Sequence, residues 1–272
     1  MVIFGVMLWR GVEIEPEFVV LALLVLALAM GRGRQFVFDF IPFLLLFFAY
    51  EVMRGFAAKT GFLPHDIGRL ELWVFGGQLP TVWLQQRLYQ PARIGLLDWV
   101  TIGFYFTHFV LPICVGFFFW VKDREHFWHY IAALLLMSFL AFITYLFFPS
   151  APPWYQYPDL VHKISNETIR KWGIGYTVVI YTHLNPNQFA AFPSLHAAYP
   201  TLAAVYAWRR YPKLAALLVA WAVCVWFSVV YLGEHYVVDV FCGLLYVAAA
   251  TVIVEWAAAR TSEEPTPTRS SA

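Results

Sequence analysis

The sequence predicts an all-α, polytopic membrane bundle, and three observations predict it. Only 13% of the 272 residues are charged and 61% are hydrophobic, whereas a soluble chain of this size carries about 25% charge. Mean hydropathy is +0.65. Several apolar runs approach the ~20 residues that cross a bilayer core. The length suits six or seven spans, with residues 1–260 forming a single transmembrane domain. Other classes recede on the same grounds. A net charge of +1 offers no basic surface for a nucleic acid. Cys114, Cys224 and Cys242 each lie inside an apolar run, a pattern of neither a disulfide framework nor a zinc site.

Residues 1–16 are a mixed lead. Glu13, Glu15 and Glu17 outweigh Arg10 ahead of the first apolar run, so Ala27-Leu28-Ala29 reads poorly as a signal cleavage site. The first helix, Phe18 to Met30, is short for a span and stands as an extra N-terminal helix. After the basic turn Gly31–Arg34, a second runs from Phe36 to about Met53, with Pro42 in its first two turns, where a missing donor is tolerated. Residues 54–97 are too polar to span. Within them, Leu79 to Leu88 carries a partial helical stripe that fits either an interfacial helix anchored by Trp83 or a loop helix packed on the bundle. Further helices follow at Trp99–Val121, Phe127–Phe148, Ser194–Trp208, Leu214–Tyr231 and Tyr236–Ala258. The tail, 261–272, is rich in Ser, Thr, Pro and Glu and reads as disordered.

Sidedness follows from basic residues. The turns 31–35, 122–126 and 209–213 and the tail hold nine Lys and Arg in about thirty positions. The opposite loops hold nine in roughly three times that length. The dense face is therefore expected to be cytoplasmic, with His196 and His235 on the other.

The chemistry gathers between Phe192 and Asp239. Pro193-Ser194-Leu195-His196 lies where a loop becomes a helix. Ser194 is a natural N-cap, and free amides at a helix start suit a phosphate. Taken alone, this is equally a plain cap beside an interfacial histidine. His235 and Asp239 stand four apart, on one helical face. A carboxylate accepting from one imidazole nitrogen fixes the tautomer and frees the other nitrogen as nucleophile. The alternative is a structural pair closing a helix, but an ionisable pair at the start of a membrane helix leans functional. The intervening apolar segments form a hairpin through Arg209-Arg210-Tyr211-Pro212-Lys213, which can return the chain to the face it left.

Together, Pro193-Ser194-Leu195-His196 and Ser228-Val229-Val230-Tyr231-Leu232-Gly233-Glu234-His235-Tyr236-Val237-Val238-Asp239 resemble the second and third motifs of the type 2 phosphatidic acid phosphatase superfamily. Ala151-Pro152-Pro153-Trp154, Phe75-Gly76-Gly77, Leu79–Gln85 and His108-Phe109 look like its inositol phosphorylceramide synthase branch, the target of aureobasidin in fungi, and bacterial relatives. The resemblance implies a six-helix core and a membrane-lipid substrate. It also implies transfer of a phosphoryl-alcohol group, such as phosphoinositol, to a hydroxyl acceptor, or release of phosphate to water. His235 would be the nucleophile, Asp239 its orienting carboxylate, and His196 the acid and then the base. No metal or cofactor is implied. The pattern is broken twice. Val229 stands at the third motif's arginine, and the first motif, Lys and six residues to Arg-Pro, is missing at the end of the fourth helix.

The phosphate's counter-charge is thus open. Lys163 and Arg170 repeat the spacing of seven and would share a helical face, but solvated loop charges are the commoner fate. Arg54 and Lys59 are weaker candidates. Ser194, Leu195, His108, Pro153 and Trp154 complete the expected binding set, His108 being read either as a pocket wall or as a hydrogen-bonded core residue. Asp39 reads as structural or interfacial. His65, His126, His129, His162 and His183 read as surface residues. A transporter or scaffold using the histidines as a relay is the competing class.

Overall fold

A computed structural model describes residues 16–57, 61–171 and 187–263. The described residues form helices throughout: α1 (Pro16–Ala29), α2 (Gly33–Ala57), α3 (Gly68–Val74), α4 (Pro80–Leu88), α5 (Leu96–Lys122), α6 (Arg124–Phe147), α7 (Pro153–Gln156), α8 (Ile164–Lys171), α9 (Leu195–Ala207), α10 (Pro212–Tyr231) and α11 (Val237–Glu263). The all-α membrane bundle is borne out. Four of these helices are long and apolar enough to cross a bilayer alone (α2, α6, α10 and α11), and the bent α5 makes five. The fifth expected span is shorter than read, and the first is as short as its sequence suggested. α1 has 14 residues and α9 has 13, against the ~20 a crossing needs. An apolar run looks the same whether lipid or protein covers it. α9 is covered mostly by protein, between α10, α11, α5 and α6, so its start can lie recessed in the bundle. α11 continues through Thr261–Glu263, the start of the expected tail.

α5 is bent by 53° between Leu96–His108 and Val110–Lys122. Pro112 explains the bend: it has no N–H for the carbonyl four residues earlier, that of His108. The break therefore falls where a histidine faces the bundle interior. At the basic end, Asp39 joins three helices. It accepts from Arg124 Nη2 at 2.6 Å, Arg124 Nε at 2.7 Å and Trp120 Nε1 at 2.7 Å. Around it, Phe36, Phe40 and Phe127 stack, and the Arg32 guanidinium lies over the Trp120 ring. Apolar side chains such as Leu45, Leu217, Phe241, Leu245 and Val252 point outward, as a lipid-facing belt requires.

At the opposite end the connections form a roof. α2 extends past Met53 to Ala57, so the polar stretch begins later than expected. α4 packs on the bundle, the second of the two roles considered for it. Gln85 is buried, donating to the carbonyls of His162 (2.9 Å) and Tyr231 (2.8 Å) and accepting from the His162 N–H (2.8 Å). Trp83 is exposed under the Arg87 guanidinium. Three loop segments meet by backbone pairing. His65 N–H donates to Pro149, and Ser150 N–H to Phe189, each at 2.8 Å. The Ser150 hydroxyl accepts from Phe192 N–H at 2.7 Å.

The two motif-bearing helices touch directly. Ser194 N–H donates to the Asp239 carbonyl at 3.0 Å. One turn on, a Cβ at Gly243 would sit 2.5 Å from the Ser194 carbonyl oxygen. Glycine at 243 is therefore a condition of bringing α9 against α11. Gly243→Ala should cost about 1–3 kcal/mol and lower turnover together with the melting temperature. A variant with unchanged melting and turnover would show that the helices can part without consequence.

Candidate active site

Ser194 is the N-cap of α9 as its sequence context predicts. Its buried hydroxyl accepts from Ala197 N–H at 3.3 Å. This sets His196 in the first turn, facing the start of α11. The chain reaches that start through a tight turn at Gly233, whose φ of +81° favours glycine. A Cβ there would lie 2.8 Å from the His162 carbonyl. The Val229 carbonyl accepts from both Glu234 N–H and His235 N–H at 3.1 Å. Val229 is itself buried among apolar neighbours, so the side chain at the expected arginine position packs into the core.

The two histidines meet. His196 Nδ1 and His235 Nε2 are 3.0 Å apart. His235 Nδ1 lies 2.9 Å from the Ala191 carbonyl oxygen and 3.4 Å from Asp239 Oδ2. A carbonyl can only accept, so His235 Nδ1 is the donor and, in the neutral ring, Nε2 keeps its lone pair. His196 Nδ1 must then carry the proton that points at it. The pair thus has a direction: an unprotonated nitrogen on His235 and a proton on His196. Asp239 does more than face the ring, since its Oδ2 accepts from Tyr236 N–H at 2.8 Å and closes the first turn of α11.

His108, the third ring, is buried. Its Nδ1 donates to the Tyr105 carbonyl at 2.8 Å, and its ring centroid is 3.9 Å from that of His196. Tyr105 stacks on His196 at 4.6 Å. A cavity of about 30 Å³ opens beside this cluster, lined by Arg54, His108, Tyr145, Leu195 and His196 among others. That is about the volume of one water in the liquid. A larger cavity, about 920 Å³, lies toward the basic end by His126, Arg209 and Glu255, away from the histidine pair.

The remaining expected binding residues divide. Pro153, Trp154 and Lys163 gather on the loop before His235. Trp154 N–H donates to the Gly233 carbonyl at 3.2 Å, and its Nε1 donates to Glu234 Oε2 at 3.2 Å. Lys163 Nζ lies 3.8 Å from Glu234 Oε2 and over the Trp154 ring. Arg170 is exposed in the last turn of α8. Lys163 precedes that helix, so the spacing of seven does not put the two on one face. Lys59 and His183 lie outside the described residues. His126, expected at the surface, is half-buried, its ring Nε2 2.9 Å from the Tyr206 carbonyl. His65 and His162 are exposed.

A family model described as the PAP2 superfamily matches residues 74–253. The chain belongs to the PAP2 superfamily. Among the relatives of this PAP2 chain is the phosphoinositol dihydroceramide synthase of Bacteroides thetaiotaomicron, 27% identical over 253 residues, covering 86% of this chain and 81% of that protein. The inositol phosphorylceramide synthase catalytic subunit of Saccharomyces cerevisiae is 28% identical over 163 residues, 55% of this chain and 39% of that protein. The Candida albicans inositol phosphorylceramide synthase is 30% identical over 121 residues, 40% of this chain and 25% of that protein. No solved structure matches. This PAP2 protein is an integral membrane enzyme of the lipid phosphotransferase and phosphatase class.

Sequence reasoning missed Glu71. It is fully buried on α3, and its Oε2 accepts from Val238 N–H at 3.1 Å, capping α11 from outside its own segment. Burial pushes its carboxyl up to about 7, with the Asp239 charge adding to the rise and the Val238 bond opposing it. The folded-state value lies above the ordinary 4.5. Its stabilising contribution is therefore complete below about pH 4.5 and is lost as pH rises through about 7. Glu71→Gln keeps an acceptor for Val238 and removes the titration. From about pH 5 to about pH 8 the wild type should lose up to about 3 kcal/mol relative to that variant, read as melting in detergent. Parallel pH curves would show that Glu71 does not titrate in this range.

Proposed function

We propose that this enzyme transfers a phosphoryl-alcohol group, such as phosphoinositol, from a donor lipid to the hydroxyl of a ceramide-type acceptor through a phosphohistidine at His235. The direction of the histidine pair carries this reading. His235 Nε2 presents a lone pair, and the proton nearest to it belongs to His196. In the first step Nε2 attacks phosphorus, the bond to the donor lipid's oxygen breaks, and His196, protonated on both ring nitrogens, gives its Nδ1 proton to that oxygen and becomes neutral. The Ala191 carbonyl and Asp239 stabilise the positive ring that forms. In the second step His196 takes the acceptor's hydroxyl proton, the acceptor oxygen attacks phosphorus, and the P–N bond breaks. Both histidines return to their starting states.

The rings in contact describe a closed resting site. A reacting phosphoryl group with each histidine at about 3 Å would hold them about 6 Å apart, so substrate must enter between them. Transfer is favoured over hydrolysis by the relatives, whose names are those of synthases. Leu195 and His108 line the cavity beside His196, and Ser194 caps the helix that carries His196. Pro153, Trp154 and Lys163 hold the loop that presents His235, and Arg170 stands apart from this arrangement. The histidine end lies opposite the basic turns, which supports a site on the non-cytoplasmic side of the cell membrane.

Purified protein given headgroup-labelled phosphatidylinositol and ceramide should form a labelled phosphorylceramide. His235→Ala should abolish the product, and His196→Ala should lower it about 10²–10⁴-fold. Free inositol phosphate released at equal rates with and without acceptor would assign hydrolysis instead. For sidedness, Arg69, exposed on α3, is a suitable reporter. A cysteine at 69 should be labelled from outside intact cells and one at Lys213 should not; the reverse pattern would invert the orientation.

A further inference from the structure

We propose that Arg54, from the helical hairpin that precedes the family-matched segment, is the residue that clamps the transferring phosphate. The inference rests on the phosphotransfer reading above and deepens it. Phosphoryl transfer depends on positioned charge that neutralises the equatorial oxygens, yet the positions where sequence logic looks for it are occupied otherwise. Val229 is an apolar core residue. Lys163 is engaged by Glu234 and Trp154, and Arg170 is exposed on α8. The start of α11 is capped by Asp239 and Glu71.

Arg54 stands in the last turn of α2 and lines the same small cavity as His108, His196, Tyr145 and Leu195. Among the cavity's described residues it is the permanent cation. Its charge is near enough to act on the His108 and His196 rings. α2 ends at the level of the recessed start of α9, so a half-buried side chain there points into the bundle. A charged group facing the interior of a membrane bundle marks a substrate path, and a planar guanidinium matches two phosphate oxygens at once. When the His196–His235 contact opens, the cavity becomes continuous with His235 Nε2, and Arg54 faces the phosphoryl oxygens from the side of His196. The match to the superfamily begins at residue 74, so the cation would come from an element outside the common core.

The test compares full-length wild type, Arg54→Gln, Arg54→Lys, His235→Ala and the exposed control Arg69→Gln. Turnover is measured alongside protection against melting by orthovanadate and by inorganic phosphate. Arg54→Gln should lose about 10²–10³-fold in turnover and at least tenfold in vanadate affinity, with melting in the absence of anion unchanged. Arg54→Lys should recover part of both, and Arg69→Gln should match wild type. Vanadate affinity retained in Arg54→Gln would overturn the assignment, as would turnover within threefold of wild type. If Arg54→Gln melts early, the lysine variant decides: lowered vanadate affinity and turnover with wild-type melting support the guanidinium clamp, and wild-type affinity and turnover there overturn it. Full turnover in His235→Ala would instead sink the phosphotransfer reading, separately from the role of Arg54.

Discussion

The hydrogen bond from His235 Nδ1 to the Ala191 carbonyl sets the direction of the whole site. At 2.9 Å it is shorter than the 3.4 Å approach to Asp239, and a carbonyl acceptor leaves one role for the nitrogen. The lone pair at Nε2 and the proton on His196 follow from it. The bond in turn depends on where residue 191 sits, and that is decided by the roof. The Ser150 backbone pairs with residue 189 and the Ser150 hydroxyl with residue 192, so two anchors bracket the carbonyl. His65 pairs on the far side of Ser150. Segments far apart in the chain thereby converge on a single proton.

The proposed trio of His196, His235 and Asp239 stood out in the sequence because local signals carry it. Ser194 as a cap is a property of one helix start and survives folding unchanged. His235, by contrast, lies two residues ahead of α11 and meets Asp239 where that carboxylate closes the helix's first turn on Tyr236 N–H, so the expected shared helical face is replaced by a cap. Ala191 was not legible, since a backbone carbonyl has no side-chain signature. Glu71 escaped for a related reason, and Arg54 stood only as a weaker candidate. Each reaches the site from a separate helix ahead of the motifs, and only the tertiary arrangement brings it there. The spacing of Lys163 and Arg170 misled because periodicity applies inside a helix, and the helix begins at Ile164.

The long apolar runs declared the bundle, but hydropathy does not distinguish lipid from protein as the covering medium. α9 was therefore read as a full span, although its 13 residues are enclosed by other helices and start at the depth of the chemistry. That shortness is useful. It recesses a helix N-terminus and a histidine beneath the roof, out of bulk water, while Gly243 lets α11 close against it. The bend at Pro112 does the same for His108.

With His196 and His235 in contact, the resting enzyme has no room for a phosphoryl group, so substrate binding and separation of the rings are one event. This links the chemistry to the lipid: the charge and binding energy of the arriving headgroup must replace an existing hydrogen bond. The central claim is that the group then passes through a covalent bond to His235. Brief reaction with headgroup-labelled donor, without acceptor, followed by quenching in base and peptide mapping, tests it most directly. The account predicts an acid-labile, base-stable label on the peptide containing His235, released on adding acceptor. Label on another residue, or product formation with no labelled protein at any quench time, would contradict it.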